Sequence, residues 1–268
     1  MTNEVRVLPS IHLPAPAPAG AEIAISVEGV HKAYGPAGSH VLALSDMSLT
    51  VAKGEFVCLV GASGCGKSTL LNILARLDKA QLGSVKTRGR VALLFQEAAL
   101  FPWLTVAQNI ELALRLSGVP RRERQSRTHE LLHVVQLEGW GDKRPHELSG
   151  GMRQRTAVAR ALAQGAEVLL MDEPFGSLDA MTRDILHDEL ERLWTAGGFT
   201  VLFVTHDVRE AIRLGDRIAI LTSRPGQVAE ELTIDLPRPR SVGDPEVAAL
   251  AERITSRLRE EVLRHADD

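Results

Sequence analysis

Gly61-Ala62-Ser63-Gly64-Cys65-Gly66-Lys67-Ser68-Thr69 follows the apolar run Glu55–Val60 and leads into Lys67–Leu77, where apolar residues recur at helical spacing. A strand, a glycine loop and a helix in that order build a cradle for a phosphate chain. Glycines let the backbone wrap until successive N–H groups point at phosphate oxygens, and the helix N-terminus adds positive potential. At this spacing Lys67 reaches the β- and γ-phosphates of a nucleoside triphosphate, and the Ser68 hydroxyl is a ligand for Mg²⁺. A glycine turn with a chance lysine is the competing reading, and it leaves the flanking strand and helix unexplained.

Working outward, Val168-Leu-Leu-Met-Asp172-Glu173 is a second apolar strand that ends in two carboxylates. Asp172 is expected beside the phosphate loop, where Mg²⁺ calls for an acidic partner. Glu173 then stands where it can orient and deprotonate an attacking water. Apolar strands ending in acids are common, so this segment gains its meaning from the glycine loop before it.

The rest of the chain sets limits. Its 268 residues are 44% hydrophobic and carry a net charge of −3, which suits a globular chain and leaves no overall basic footprint for nucleic acid. No apolar run approaches the roughly 18 residues that a membrane span needs, so a pore would have to come from another polypeptide. Met1–Arg6 has mixed charge and no apolar stretch of adequate length after it, unlike a signal peptide. Cys58 and Cys65, a strand and a loop residue, are expected to be free thiols, which fits a reducing cytoplasm.

Residues 1–21, with Leu13-Pro-Ala-Pro-Ala-Pro-Ala-Gly20, are expected to form a flexible leader. Strands are expected at Ile23–Val30, Val41–Val51, Arg90–Phe95, Glu167–Met171, Phe199–Thr205 and Arg217–Thr222. Between the Arg90 and Glu167 strands the pattern is helical, at Val106–Leu116, Arg121–Gln136 and Gly151–Ala163. The expected fold is therefore α/β, a parallel-rich core with a helical insertion. In Asp244–His265, the residues Val247, Leu250, Ile254, Leu258 and Val262 share a helical face that either pads the core or docks a partner.

These segments, together with Leu148-Ser149-Gly150-Gly151-Met152-Arg153-Gln154-Arg155, resemble the ATP-binding cassette (ABC) ATPases over about residues 22–236. The resemblance implies a P-loop NTPase (RecA-like) core at 22–96 and 165–236 with an N-terminal antiparallel β subdomain. It also implies an inserted α-helical subdomain at 97–164 and a helical tail at 237–268. Ser149, Gly150 and Gly151 match the signature motif that caps ATP held by a second copy, with Met152 standing where the motif has glutamine. A hydroxyl, two glycine N–H groups and a helix start suit that task. Gln96 matches the Q-loop residue that senses Mg²⁺ or water. Asp179 matches the D-loop, His206 the switch histidine, and Tyr34 the aromatic that stacks on adenine, against the alternative of a plain surface aromatic.

With Glu173 and His206 both present, the resemblance implies hydrolysis and not a degenerate regulatory subunit. It implies ATP and Mg²⁺ as cofactors and a homodimer when ATP is bound. An integral-membrane permease and, indirectly, an extracytoplasmic substrate-binding protein are the implied partners, with the chain at the cytoplasmic face of the membrane. Leu94-Phe-Gln-Glu-Ala-Ala-Leu-Phe101-Pro-Trp103, Ser223-Arg-Pro-Gly-Gln227 and Ile234-Asp-Leu-Pro-Arg-Pro-Arg240 look like the nitrate/sulfonate/taurine importer branch. The short Gly83–Phe95 segment leaves little room for the family's usual hairpin and tilts the reading toward aliphatic sulfonates. The competing functions are a non-transport ABC ATPase of translation or DNA repair, and an exporter subunit. Cys65, at a helix start beside Lys67, is expected to have either a lowered thiol pKa and ready alkylation or a mere space-filling role.

Overall fold

β3 (Phe56–Val60) is buried at every residue and lies inside a six-stranded sheet of order β5 (Val91–Leu94), β6 (Val168–Asp172), β7 (Thr200–Thr205), β3, β8 (Arg217–Leu221) and β9 (Val228–Thr233). The computed structural model describes residues 21–36, 40–176 and 178–264. β3 pairs in parallel with β7 on one side and β8 on the other. β7 pairs with β6, and β6 with β5, again in parallel. Strands covered on both faces need continuous apolar sequence, which is why EFVCLV, VLLM and FTVLFVT are legible. The parallel register brings the C-terminal ends of β3, β6 and β7 to one edge, and the phosphate loop, Glu173 and His206 all follow those ends.

β1 (Ile23–Tyr34), β2 (Val41–Ala52) and β4 (Leu82–Thr87) form a separate antiparallel sheet of order β2-β1-β4. One apolar cluster joins the inner face of this sheet to α1 (Lys67–Leu74) and to Val57, Leu59, Leu170 and Val204 of the larger sheet. A second cluster covers the opposite face. It takes in α2 (Val106–Leu116), α4 (Gly150–Ala163), α5 (Ala180–Gly197) and α6 (Val208–Leu214). α3 (Arg121–Val134) packs on α2 and α4 and ends two residues before the sequence expectation. The 83–95 segment holds no hairpin, because β4 pairs with β1 while β5 pairs with β6.

The sequence pattern alone assigns neither β4, β9, α5 nor α6. The Pro/Ala leader, apart from Ala21, lies outside the described residues. The tail forms α7 (Pro245–Arg264), which packs against α6 with Val247, Ala251 and Ile254 buried and Leu250 and Leu258 partly so. That supports padding over docking along this face, while the Val262 side chain lies outside the described set.

Candidate functional site

Gly66 caps the start of α1 at φ 96°, a left-handed conformation that glycine adopts without strain. A Cβ there would come 2.6 Å from the Ala43 carbonyl oxygen, so β2 also excludes a side chain. Lys67 is buried, and its ammonium donates to the Gly61 and Ala62 carbonyls at 2.8 Å each. The lysine thus closes the loop on itself, a geometry that phosphate oxygens would compete for.

A cleft of about 490 Å³ opens over this loop, lined by Tyr34, Ser63, Gly64, Gly66, Lys67, Ser68, Thr69, Gln96 and Glu173. Tyr34 is half-exposed at the rim; its hydroxyl donates to Asp78 Oδ2 at 2.7 Å and also interacts with Thr69. Hydrogen bonds from Lys32 and Tyr34 hold the Asp78 carboxyl down at about 2, so the brace is ionised at any ordinary pH. Burial, helped by Asp78, pushes the Tyr34 phenol up.

Asp172 ends β6 half-buried. Burial and the adjacent Glu173 raise its pKa, opposed by a Ser68 hydrogen bond and by Lys67. Glu173 itself takes φ 43°, a strained region for a residue with a Cβ, as expected where a side chain must be aimed. Its Oε2 lies 2.9 Å from His206 Nδ1, so the acid after β6 and the histidine after β7 meet beside the loop. His206 also borders a groove of about 470 Å³ with Gly61, Ser63 and, from α7, Thr255, Leu258 and Arg259.

Cys65 departs from expectation. The thiol is buried, 3.7 Å from Lys67 Nζ, and does not line the cleft. Burial raises its pKa and outweighs the ammonium, so the lowered-pKa alternative fails.

Ser149, Gly150, Gly151 and Asp179 do not meet the cleft of their own chain. They form a second surface. Ser149 caps α4, accepting from the Met152 N–H at 3.2 Å, and Asp179 caps α5, accepting from the Thr182 N–H at 2.9 Å. That bond holds the Asp179 carboxyl below its usual range. Ser149 and Gly150 are exposed, whereas Gly151 is buried: a Cβ there would lie 2.5 Å from Thr182 Cγ2. The absence of a side chain at Gly151 thus lets the starts of α4 and α5 pack together. Ser177 lies outside the described residues.

Arg224 is a site residue without an expected role. It lines the cleft, and its guanidinium donates twice to the Gly64 carbonyl at 3.2 Å. The Ser223–Gln227 segment was the only available signal, because the contact joins residues 160 apart.

A parallel nucleotide core, an added antiparallel sheet and a helical lobe with its own anion-ready helix start define an ATP-binding cassette. The chain belongs to the ABC transporter ATP-binding family and is an ABC-type ATPase; the ABC transporter family model matches residues 44–176. It is 42% identical over 254 residues to the aliphatic sulfonates import ATP-binding protein SsuB of Bacillus subtilis, covering 91% of this chain and 98% of that one. It is 46% identical over 205 residues to the nitrate import ATP-binding protein NrtD of a Synechocystis strain, covering 74% and 77%. The structure matches a dimeric ATP-binding cassette in a post-hydrolysis state bound to ADP and Pi, with TM-score 0.71 and 33% identity over 80% of this chain and 100% of that one. No helix among the described residues is long and apolar enough to cross a membrane.

Proposed function

We propose that the chain is the ATP-hydrolysing subunit of an importer for a small oxyanion, an aliphatic sulfonate, nitrate or taurine, with sulfonate favoured. The observation that carries hydrolysis is the 2.9 Å contact of Glu173 with His206 beside the phosphate loop. Tyr34 stacks on adenine, and Gly61–Thr69 hold the phosphates. Glu173 takes a proton from water as its oxygen attacks the γ-phosphorus, and the bond to the bridging oxygen breaks to leave ADP and phosphate. His206 steers the carboxylate and contacts the γ-phosphate. The names of the SsuB and NrtD relatives support import and the substrate class.

Ser68, Asp172 and Gln96 would hold Mg²⁺. The donors fit a hard cation: all are oxygen ligands, and Asp172 and Ser68 are already hydrogen-bonded to each other beside the cleft that Ser68 and Gln96 line. When bound, Mg²⁺ neutralises phosphate charge.

The remaining surfaces suit partners. Ser149, Gly150, Gly151 and Asp179 would meet the ATP of a second copy, which the dimeric neighbour supports. A permease segment would enter a groove of about 800 Å³ lined by Arg76, Phe95, Phe101, Leu116 and Arg160. Trp103, 66% exposed, lies against Phe101 of that groove at 5.5 Å between ring centroids and offers a further apolar surface to the same segment. The chain would then sit at the cytoplasmic membrane face, served from outside by a binding protein. Residues 22–96 and 165–236 form the catalytic core in this reading, 97–164 the moving helical lobe and 237–268 the tail.

The test is complementation. In a strain lacking the chain, the wild type should restore growth on an alkanesulfonate as sole sulfur source and Glu173→Gln should not, with purified Glu173→Gln hydrolysing ATP about 10²-fold more slowly. Wild-type hydrolysis by Glu173→Gln would remove the general base; sulfonate growth without the chain would remove the substrate class.

A further inference from the structure

Behind His206 lies a buried polar chain that the proposed chemistry does not use. His187 of α5 and Glu210 of α6 are both buried, with His187 Nε2 2.6 Å from Glu210 Oε1. The other Glu210 oxygen accepts from the Thr205 hydroxyl. Thr205 Oγ1 in turn accepts the Asp207 backbone N–H at 2.9 Å. On the far side Arg213 Nη1 lies 3.4 Å from His187 Nδ1, and the same guanidinium reaches Asp184 and Asp188 at 2.8 and 2.6 Å. Phe175 closes the edge of the imidazole at 5.3 Å between centroids.

Donor chemistry gives this chain a single direction. Arginine only donates, so His187 Nδ1 accepts, Nε2 carries the proton and Glu210 receives it. Thr205 has one proton, which goes to Glu210, leaving its oxygen as the acceptor for Asp207. One carboxylate therefore fixes Thr205 directly and Asp207 through it, and these two residues flank His206. That carboxylate is anchored on α5, the helix that begins at Asp179 on the surface assigned to a second copy. Arg183 of α5 adds a longer link to Asp207, at 3.9 Å.

We infer that Glu210, held by His187, is a positioning residue for ATP hydrolysis: it sets His206 against Glu173 and links that placement to α5. The inference rests on the proposed role of His206. If Glu210 merely fastened α5 to α6, its loss would lower stability and leave turnover alone.

Steady-state ATPase kinetics of the full chain separate the two. Glu210→Gln can no longer accept from both neighbours and should lower kcat by about ten- to a hundredfold with the KM for ATP within about twofold. Thr205→Val should follow it, while Thr205→Ser, which keeps the hydroxyl, should stay within about twofold of wild type. In a His206→Ala background, Glu210→Gln should cost nothing further, because both act through one side chain. Unchanged kcat in Thr205→Val, or a further loss in the double variant, would overturn the inference. The Thr205 pair remains decisive if Glu210→Gln fails to fold. Wild-type hydrolysis by His206→Ala alone would instead overturn the reading of His206 beneath it.

Discussion

At the scale of single residues, burial governs Cys65 more strongly than Lys67 does. A thiolate is the species that alkylates, and a pKa raised by desolvation leaves little of it at neutral pH. Iodoacetamide should therefore label Cys65 more slowly at pH 7 to 8 in the folded chain than in the unfolded one, as mass spectrometry would record. Fast labelling at pH 7 would show that the loop opens and that the ammonium prevails. Gly61–Thr69 was legible because the cradle is built from consecutive residues. The Lys32–Asp78–Tyr34 brace and Arg224 were not, since their partners lie 44 to 160 residues away and no spacing rule links them.

Among the elements, legibility followed burial. β3, β6 and β7 stand between two apolar layers and show unbroken apolar sequence, whereas β4 has no fully buried residue and no regular alternation, and merges into the turn composition around Gly83. α5 buries His187, Glu189 and Glu191 as well as Leu186, Leu190 and Leu193, so its apolar stripe is masked by polar residues whose partners lie elsewhere in the chain. α7 shows the reverse: its stripe was plain, and only packing against α6 could choose between its two roles. Ile254 is fully buried there, and Ile254→Ala should lower unfolding free energy by about 2–5 kcal/mol in chemical denaturation. A loss below about 1 kcal/mol would mean that α7 is not held on the body of the protein.

For the whole molecule, the phosphate loop with Glu173 and His206 lies in one place, and the Ser149 and Asp179 helix starts lie in another. Neither surface completes the other within one chain. Two copies arranged head to tail would bring each signature surface to its neighbour's cleft, so ATP would hold the copies together until it is hydrolysed. That relation could be read in the sequence only through family resemblance, because no spacing within a chain encodes a contact between chains.

Sedimentation velocity of Glu173→Gln with saturating Mg-ATP tests this most directly, alongside the same protein carrying Ser149→Arg. Glu173→Gln should sediment as a dimer with ATP and as a 29.1 kDa monomer without it, and the added Ser149→Arg should keep it monomeric although it still binds ATP. A monomer of Glu173→Gln with ATP bound, or a dimer indifferent to Ser149→Arg, would contradict a site shared between two chains.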